Sequence, residues 1–200
     1  MEVFEYHILR KIRNNKRGKI FFPENFRHLG KEDAVHQALS RIEKEGHLVR
    51  LGHGIYLYPK KDPQLGVIYP SIDAIAQAIA KRDKARIIPT GALALNKLGL
   101  STQVPMNAVY LTDGSARNIQ IGNRKIKFKR TVPKNLATKG KISGLVIQAL
   151  REIGKGNVTD EQLKTIGRLL KREKQDYFEH DAGMAPSWIR NIMLKTMEEA

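Results

Sequence analysis

The clearest hydrophobic pattern in the chain lies between residues 31 and 45. Its apolar residues are spaced three, four and seven positions apart, which places them on one face of an α-helix: Val35, Ala38, Leu39 and Ile42. Gly46 follows, and because glycine tolerates a positive φ it is suited to end this helix. The pattern then changes to two short apolar runs, 48–51 and 55–58, separated by Gly-His-Gly at 52–54. This change predicts a tight β-hairpin directly after the helix.

The segment before this helix completes a known order of elements. A first helix is predicted over 3–14, with an inner side formed by Val3, Phe4, His7, Ile8, Lys11 and Ile12. A short strand over 20–22 and a short helix over 24–29 follow, with Pro23 at the first helical position, where its missing N–H costs nothing. The order is helix, strand, short helix, helix, strand, strand, which is that of a winged helix-turn-helix. In that fold the last helix enters the DNA major groove and the hairpin is the wing.

The outer face of the 31–45 helix and the hairpin carry the candidate DNA-binding residues. Gln37 suits bidentate pairing with adenine, and Arg41 suits guanine or a phosphate. Arg50 and His53 are candidates for wing contacts with the DNA backbone or minor groove. The complete predicted set is Lys31, His36, Gln37, Ser40, Arg41, Lys44, Arg50 and His53. Taken singly, each of these residues also fits an ordinary solvated helix face or turn.

The rest of the chain predicts a mixed α/β region, so the fold class is α+β. Residues 60–66 are polar and contain Pro63 and Gly66, which predicts a linker and two domains, 1–62 and 68–200. Ser71 is the expected N-cap of one helix and Thr90 of a helix over 91–98, although Thr90 could also hold an anion there. Strand 107–112 is expected to pair with 118–121. Further helices are predicted over 143–153, 159–174 and 185–199.

Net charge is the strongest signal in the composition. The 200-residue chain carries 36 basic and 20 acidic side chains, a net charge of +16. The excess is uneven: 13 − 8 = +5 over residues 1–62, 14 − 3 = +11 over 63–141, and 9 − 9 = 0 over 142–200. A segment this one-sided repels itself unless something offsets its charge. A polyanion is therefore the expected partner, in preference to solvent alone.

One predicted strand concentrates this charge. Residues 124–130 alternate, so that Lys125, Lys127 and Lys129 point to one side while Ile126 and Phe128 point to the other. The candidate basic surface consists of Lys125, Lys127, Lys129 and, at the strand end, Arg130. Two interpretations stay open. The lysines bind a nucleic-acid backbone or an acidic partner, or they protect an edge strand from aggregation.

Candidate catalytic chemistry is sparse. The chain has no cysteine, which excludes disulfides, a thiol nucleophile and cysteine-ligated zinc. One cluster at 176–181 contains Asp176, Glu179, His180 and Asp181, and it supports an alternative hypothesis of a metal-dependent enzyme acting on nucleic acid. Adjacent residues rarely converge on one point, however, and no second cluster supplies further ligands. We therefore expect no enzyme activity, cofactor or metal.

Targeting signals are also missing from the sequence. It has no apolar run near the roughly 18 residues of a membrane span, and residues 1–11 contain no signal-peptide core. The expectation is a cytoplasmic protein with no membrane partner.

Three stretches share a pattern with a known family. Around the helix and hairpin the shared positions are Ala38, Leu39, Ile42, Gly46, His47, Leu48, Arg50, Gly54, Ile55, Tyr56 and Pro59. The later segments are IIPTGALALNKLGL at 87–100 and APSWIRNIM at 185–193. Together they resemble the AbiEi-like antitoxins of abortive-infection and type IV toxin–antitoxin systems. His53 departs from the pattern, since an arginine is expected before Gly-Ile-Tyr.

The resemblance implies a function as well as a fold. Such a protein is a transcriptional repressor that binds double-stranded DNA of its own operator, is encoded beside a nucleotidyltransferase-like toxin, and has an antitoxin domain, here 68–200. An antitoxin that neutralises its toxin by direct protein–protein contact is the second alternative. A homodimer is compatible with this function because operators are often palindromic, but no segment of the sequence marks an interface.

Overall fold

A computed structural model describes residues 3–199 and confirms the α+β class. The first two positions of the N-terminal segment considered for a signal peptide lie outside the described residues. The chain forms two compact units: unit 1 comprises Met1–Ala78 with Ile119–Asn123, and unit 2 comprises Ile79–Asn118 with Arg124–Ala200. Their division falls at residues 78–79, inside a helix.

Unit 1 contains the predicted elements in the predicted order, followed by two strands that were not predicted. They are α1 (Val3–Arg13), β1 (Ile20–Phe21), a 3₁₀ helix (Pro23–Leu29), α2 (Glu32–Lys44), β2 (Val49–Gly52), β3 (Ile55–Leu57), β4 (Lys60–Asp62) and β5 (Gly66–Ile68). The first three strands form an antiparallel sheet in the order β1-β3-β2. One core fills the space between α1, α2 and this sheet, and it includes Ile8, Phe21, Phe26, Leu39 and Leu48. The sequence predicted these elements because the hydrophobic period is local to each of them.

The inner side predicted for α1 is partly wrong. Val3 is 77% exposed and His7 is exposed, whereas Leu9 and Glu5 are buried. The buried positions are Glu5, Ile8, Leu9 and Ile12, which again have spacings of three, four and seven. The helix is therefore rotated relative to the prediction, because an acid occupies one of its core positions.

The end of α2 at Gly46 is confirmed. Gly46 has φ +78°, and its amide donates to the Glu43 carbonyl at 2.9 Å. The His47 amide donates to the Ile42 carbonyl at 3.1 Å. These two hydrogen bonds satisfy the terminal carbonyls of the helix, which is the reason that a residue tolerant of positive φ is needed there.

The predicted linker at 60–66 is wrong. Strands β4 and β5 pair as an antiparallel ribbon in which Lys60 lies opposite Ile68 and Asp62 lies opposite Gly66. The Asp62 carboxylate accepts the amides of Gln64 at 2.9 Å and Leu65 at 3.0 Å, which closes the turn and lowers the pKa of Asp62. The proline and glycine that suggested a linker are therefore part of a hairpin turn.

Helix α3 (Ile72–Arg82) spans the division between the units and begins as predicted, since Ser71 Oγ accepts the Ala74 amide at 3.1 Å. The chain continues with β6 (Ile87–Pro89), α4 (Ala92–Lys97), β7 (Asn107–Thr112), β8 (Arg117–Ile121) and β9 (Arg124–Arg130). The strand order is β6-β7-β9-β8. The expected pairing of β7 with β8 is therefore wrong, because β9 lies between them and runs parallel to β7. Ile126 and Phe128 of β9 are buried, whereas Ile119 of β8 is only half-buried, which favours the edge position for β8.

The C-terminal half of unit 2 is helical. It contains a 3₁₀ helix (Pro133–Leu136), α5 (Lys141–Ile153), α6 (Asp160–Leu170), α7 (Gln175–Met184) and α8 (Ser187–Glu199), of which α7 was not predicted. The helices α4–α8 bury one apolar cluster that includes Leu98, Leu150, Ile166, Phe178 and Met193. The capping box at the start of α6 is confirmed, since Thr159 Oγ1 accepts the Gln162 amide at 3.3 Å.

Thr90 is not the N-cap of α4. Its hydroxyl donates to Gln148 Oε1 at 3.2 Å, and Gly91, with φ +62°, is the N-cap residue. The helix has only six residues. The Thr90 side chain therefore links α4 to α5 and does not face an anion.

Candidate nucleic-acid interface

Helix α2 presents one buried and one solvent-facing side. Val35, Ala38, Leu39 and Ile42 are all at most 2% exposed and pack toward α1 and the 3₁₀ helix. The predicted DNA-binding residues lie on the other side: Lys31, Gln37, Arg41 and Lys44 are exposed, while His36 and Ser40 are half-buried. The predicted set therefore shares one face, as the helical period requires.

Arg41 is held by a residue that the sequence analysis missed. Arg41 Nη1 donates to Glu5 Oε1 at 2.8 Å, and the side chain of Glu5 is only 5% exposed while that of Arg41 is 51% exposed. A buried carboxylate needs such a partner. Arg41 therefore has a structural role in joining α2 to α1, and only part of its guanidinium faces solvent. Glu5 was detectable in the sequence as an acid at the spacing of Ile8, Leu9 and Ile12.

Three polar side chains on this face have no polar partner. Lys31, Gln37 and Lys44 make no hydrogen bond or ion pair with any residue that the structure describes, 3–199. His36 differs, because its Nε2 lies 3.8 Å from Glu32 Oε1. The unpartnered donors span the length of α2, from its N-cap position to its last turn, and are available to an external acceptor.

The predicted wing is a two-residue hairpin turn between β2 and β3. His53 is exposed at its tip, and Gly54 has φ +66°, as such turns require. Arg50 extends from β2, with its Nη2 3.3 Å from the Tyr56 hydroxyl and its guanidinium 5.4 Å from the Tyr56 ring centroid. Its Nε lies 3.8 Å from Glu43 Oε2. Tyr56 and Glu43 thus position Arg50, whereas His53 has no polar partner among residues 3–199.

The candidate basic surface forms as the alternation predicts. Lys125, Lys127 and Lys129 are exposed, Ile126 and Phe128 are buried, and Arg130 is exposed at the strand end. Because β9 lies between β7 and β8, it is not an edge strand, and the edge-protection interpretation of these lysines is wrong. Within residues 3–199 the three lysines have no acidic partner. Their register places Lys127 beside Val109 and Lys129 beside Leu111, so the neighbouring strand supplies no acid either.

Two of the three acids of the basic segment, Asp83 and Asp113, are paired with arginines. Asp113 accepts the Arg86 side chain at 2.8 Å and the Arg86 amide at 2.7 Å, and these hydrogen bonds lower the pKa of Asp113. Asp83 pairs with Arg82 at 2.8 Å and also with Arg117. Because these aspartates are paired with arginines, they do not neutralise the lysines of β9.

The side chains of the 176–181 cluster do not share one environment, since Asp181 is buried while Asp176 and Glu179 are exposed. Asp181 is fully buried, and its carboxylate accepts the Lys139 and Gly140 amides at 2.8 Å and Ser143 Oγ at 2.7 Å. His180 Nδ1 lies 2.8 Å from the same carboxylate. Among residues 3–199, no group of three or more acids and histidines is arranged to hold a metal ion. This cluster therefore does not support the hypothesis of a metal-dependent enzyme.

A comparison with models of protein families places the chain in one of them. The sequence model of DUF6088, a family of unknown function, matches residues 7–178, which include most of both units. No curated protein matches the chain. Over the described part of the chain, no helix is both long and apolar enough to cross a membrane.

Proposed function

The chain belongs to DUF6088, a family of unknown function, and from its own geometry we propose that it is a sequence-specific DNA-binding repressor. The observation that carries this proposal is the outer face of α2. It presents Lys31, Gln37 and Lys44 without partners among the described residues, beside a hairpin in the same unit with His53 at its tip. A helix followed by a wing is the arrangement with which winged-helix proteins read the major groove.

In this proposal Gln37 reads bases. An exposed glutamine on a recognition helix can pair with N6 and N7 of adenine, and it is not committed to any described residue. Arg41 contributes from its half-exposed guanidinium, held in place by Glu5. Glu32 and Asp33 occupy the first turn of α2. Their carboxylates interact favourably with the positive end of the helix dipole but repel a phosphate. Phosphate contacts therefore come from Lys31, Lys44 and the wing.

The basic surface on β9 adds contacts that do not depend on sequence. Lysine chains recognise phosphates as point charges, and each neutralised phosphate releases counterions. No aromatic residue lies on the lysine side of β9, so stacking on unpaired bases has no platform there. This favours a duplex backbone over a single strand. An acidic protein is the other partner that this surface fits.

The resemblance to AbiEi-like antitoxins extends the proposal. It makes the chain a cytoplasmic antitoxin that represses its own operon, acts as a homodimer on a palindromic operator, and has a nucleotidyltransferase-like toxin as its partner. Co-purification with the product of the neighbouring gene tests direct contact with the toxin. Retention of that product in 0.5 M salt, about where surface charge pairs are screened, supports direct neutralisation. Loss of the product at every salt concentration contradicts direct contact while leaving repression intact.

The decisive experiment is fluorescence anisotropy with a duplex from upstream of the gene and a scrambled duplex of equal length, across a salt series. We expect the upstream duplex to bind roughly a thousandfold more tightly. Gln37→Ala lowers this ratio by about tenfold, since a bidentate base contact is lost. Gln77→Ala, an exposed glutamine of α3 in the same unit, leaves the ratio unchanged. Equal binding of both duplexes by the wild-type protein rejects sequence-specific repression.

A further inference from the structure

Unit 1 contains a cleft that the DNA-binding proposal does not use. It lies between the C-terminal turns of α1, the loop after α2 and the end of β3, and its volume is about 540 Å³. This size falls within the range of small-molecule sites. Leu9 and Pro59 are buried beneath it, and Tyr58 forms part of its wall. The cleft therefore has an apolar base on which a ligand can rest.

The walls of the cleft are basic. Arg13, Arg17, His47 and Lys61 all line it, and no acidic residue does. The nearest described acid contact is Glu45, whose Oε2 lies 3.9 Å from His47 Nε2. Several like charges around one concavity focus a positive potential, which attracts a multiply charged anion. A single carboxylate would offset only one of these cations.

One of the cations is fixed in place. Arg17 Nη1 donates to the Pro59 carbonyl at 3.1 Å, and its guanidinium lies 5.1 Å from the Tyr58 ring centroid. A side chain that is ordered before binding loses little entropy on binding. Arg13 and Lys61, in contrast, are exposed and have no polar partner among residues 3–199. They are the donors that remain available.

Capping of helix ends does not account for these cations. At the end of α1 the carbonyls of Arg10 and Ile12 accept the amides of Asn14 at 3.1 Å and Asn15 at 3.0 Å. The Lys11 carbonyl accepts the Asn15 side chain at 2.7 Å. The last carbonyls of α2 are satisfied by the backbone at Gly46, as described above. These carbonyls therefore have partners other than the arginines and the lysine of the cleft.

We propose that this cleft binds the phosphate groups of a small, multiply charged ligand of nucleotide size. Phosphates offer several acceptors to converging guanidinium and ammonium groups, and arginine pairs with them bidentately. Arg13, Arg17 and Lys61 bind the oligophosphate, while Leu9 and Pro59 support the rest of the ligand. This site does not depend on the DNA-binding proposal.

The test is calorimetric titration of the full-length protein with tripolyphosphate and, separately, with ATP. We expect one ligand per chain, and about tenfold or greater loss of affinity in Arg13→Gln/Lys61→Gln, because hydrogen bonds to charged groups are lost. The matched control is Arg10→Gln/Lys16→Gln, which removes the same charge from exposed positions of unit 1 outside the cleft. The control binds as the wild-type protein does. Shifts in the amide NMR signals of Gly46 and His47 locate the ligand.

The other outcomes are equally decisive. An equal loss of affinity in the control and cleft variants, or several ligands per chain, shows diffuse attraction to a basic protein and overturns the site. If neither probe binds, the same variants are titrated with duplex DNA. Weaker duplex binding in the cleft variant alone identifies the nucleic-acid backbone as the source of the phosphates. No difference between the variants in either assay overturns the proposal, whatever the outcome for sequence-specific repression.

Discussion

At the scale of single residues, a buried acid determines how Arg41 is presented. Glu5 occupies a core position of α1 and receives a hydrogen bond from Arg41 across 36 positions of sequence. The pair has one member in the interior and one at the surface, so it differs from the freely solvated pairs that contribute little to stability. A substitution of Arg41 therefore alters the fold as well as any DNA contact.

The first prediction separates these two roles of Arg41. Arg41→Met leaves Glu5 with one partner fewer in the interior and lowers the free energy of unfolding by about 1–3 kcal/mol. Glu5→Leu/Arg41→Met removes the buried charge as well and recovers most of that loss. Urea denaturation followed by circular dichroism measures both. Equal stability of the wild-type protein and Arg41→Met contradicts the structural role and leaves Arg41 as a surface residue.

A second residue-scale prediction concerns pH. The Arg86 side chain and amide lower the pKa of Asp113 below its ordinary value of 3.8. The unfolded chain therefore takes up this proton more readily than the folded protein does. The stabilisation is complete above the unfolded pKa and is lost as the pH falls through the folded pKa. The Asp113→Asn variant has no carboxyl group at this position to take up a proton. Its Tm therefore falls less than that of the wild-type protein between about pH 5 and pH 2.

The matching variant for this test is Arg86→Gln, which removes the largest cause of the pKa shift. Its Tm should show the same reduced dependence on acid pH as that of Asp113→Asn. Thermal unfolding of the three proteins at several pH values is sufficient. Parallel curves for all three would show that this pair does not contribute to acid sensitivity.

At the scale of elements, α5 obtains its N-terminal caps from α7 and from the segment that precedes α7. Its first turn contains no acid, and its N-cap, Gly140, has no side chain. Asp181 of α7 accepts the Gly140 amide, and Glu173 accepts the amides of Ile142 at 2.7 Å and Ser143 at 3.2 Å. Carboxylates at this position satisfy free amides and interact favourably with the helix dipole. Of the acids that suggested a catalytic cluster, Asp181 thus stabilises the fold.

This arrangement explains why residue 140 is glycine. A Cβ there would overlap Ser143 Oγ and the Glu173 carboxylate, which are fixed by their own hydrogen bonds. Gly140→Ala should lower the free energy of unfolding by about 1–3 kcal/mol. Gly183→Ala in α7 is the control, because nothing lies within 4 Å of its added Cβ and alanine favours a helix. Chemical denaturation should show the loss only in Gly140→Ala.

At the scale of the whole molecule, charge is segregated along the chain. Residues 63–141 carry +11 of the total +16, while 142–200 carry none in net terms. Two of the three acids in the basic segment, Asp83 and Asp113, pair with Arg82, Arg86 and Arg117. The lysines of β9 are left as an uncompensated set on a central strand, which implies binding of a polyanion and not a requirement of the fold.

The salt dependence of duplex binding tests this implication. Replacing Lys125, Lys127 and Lys129 by glutamine removes three phosphate contacts, so the slope of log K against log salt should decrease by about 2–3. Affinity for the upstream and scrambled duplexes should decrease by the same factor, because lysine–phosphate contacts carry no sequence information. The control replaces Lys155, Lys164 and Lys171, three exposed lysines of unit 2. An unchanged slope in the β9 variant shows that this face does not contact DNA.

Local pattern predicted much of the fold and part of the candidate site. The period of α2, the stop at Gly46, the hairpin at 52–54 and the alternation of β9 each depend on residues close in sequence. The rotation of α1 and the β4–β5 ribbon were mispredicted. An acid usually lies at the surface and not in a core position, and a proline in a polar segment usually indicates a loop between elements. Helix α7 was missed because its polar and charged residues have only a weak hydrophobic period.

By itself the sequence determined where most helices and strands lie, which residues share the outer face of α2 and where basic charge accumulates. Periodicity and composition depend on residues that are close in sequence, so they do not depend on which distant segments pack together. Only the tertiary structure decided the partner of Arg41, the order of the strands, the capping of α5 by Asp181 and the basic cleft at Arg17. Each of these depends on residues that packing brings together from distant parts of the chain, and no local sequence pattern predicts such a contact.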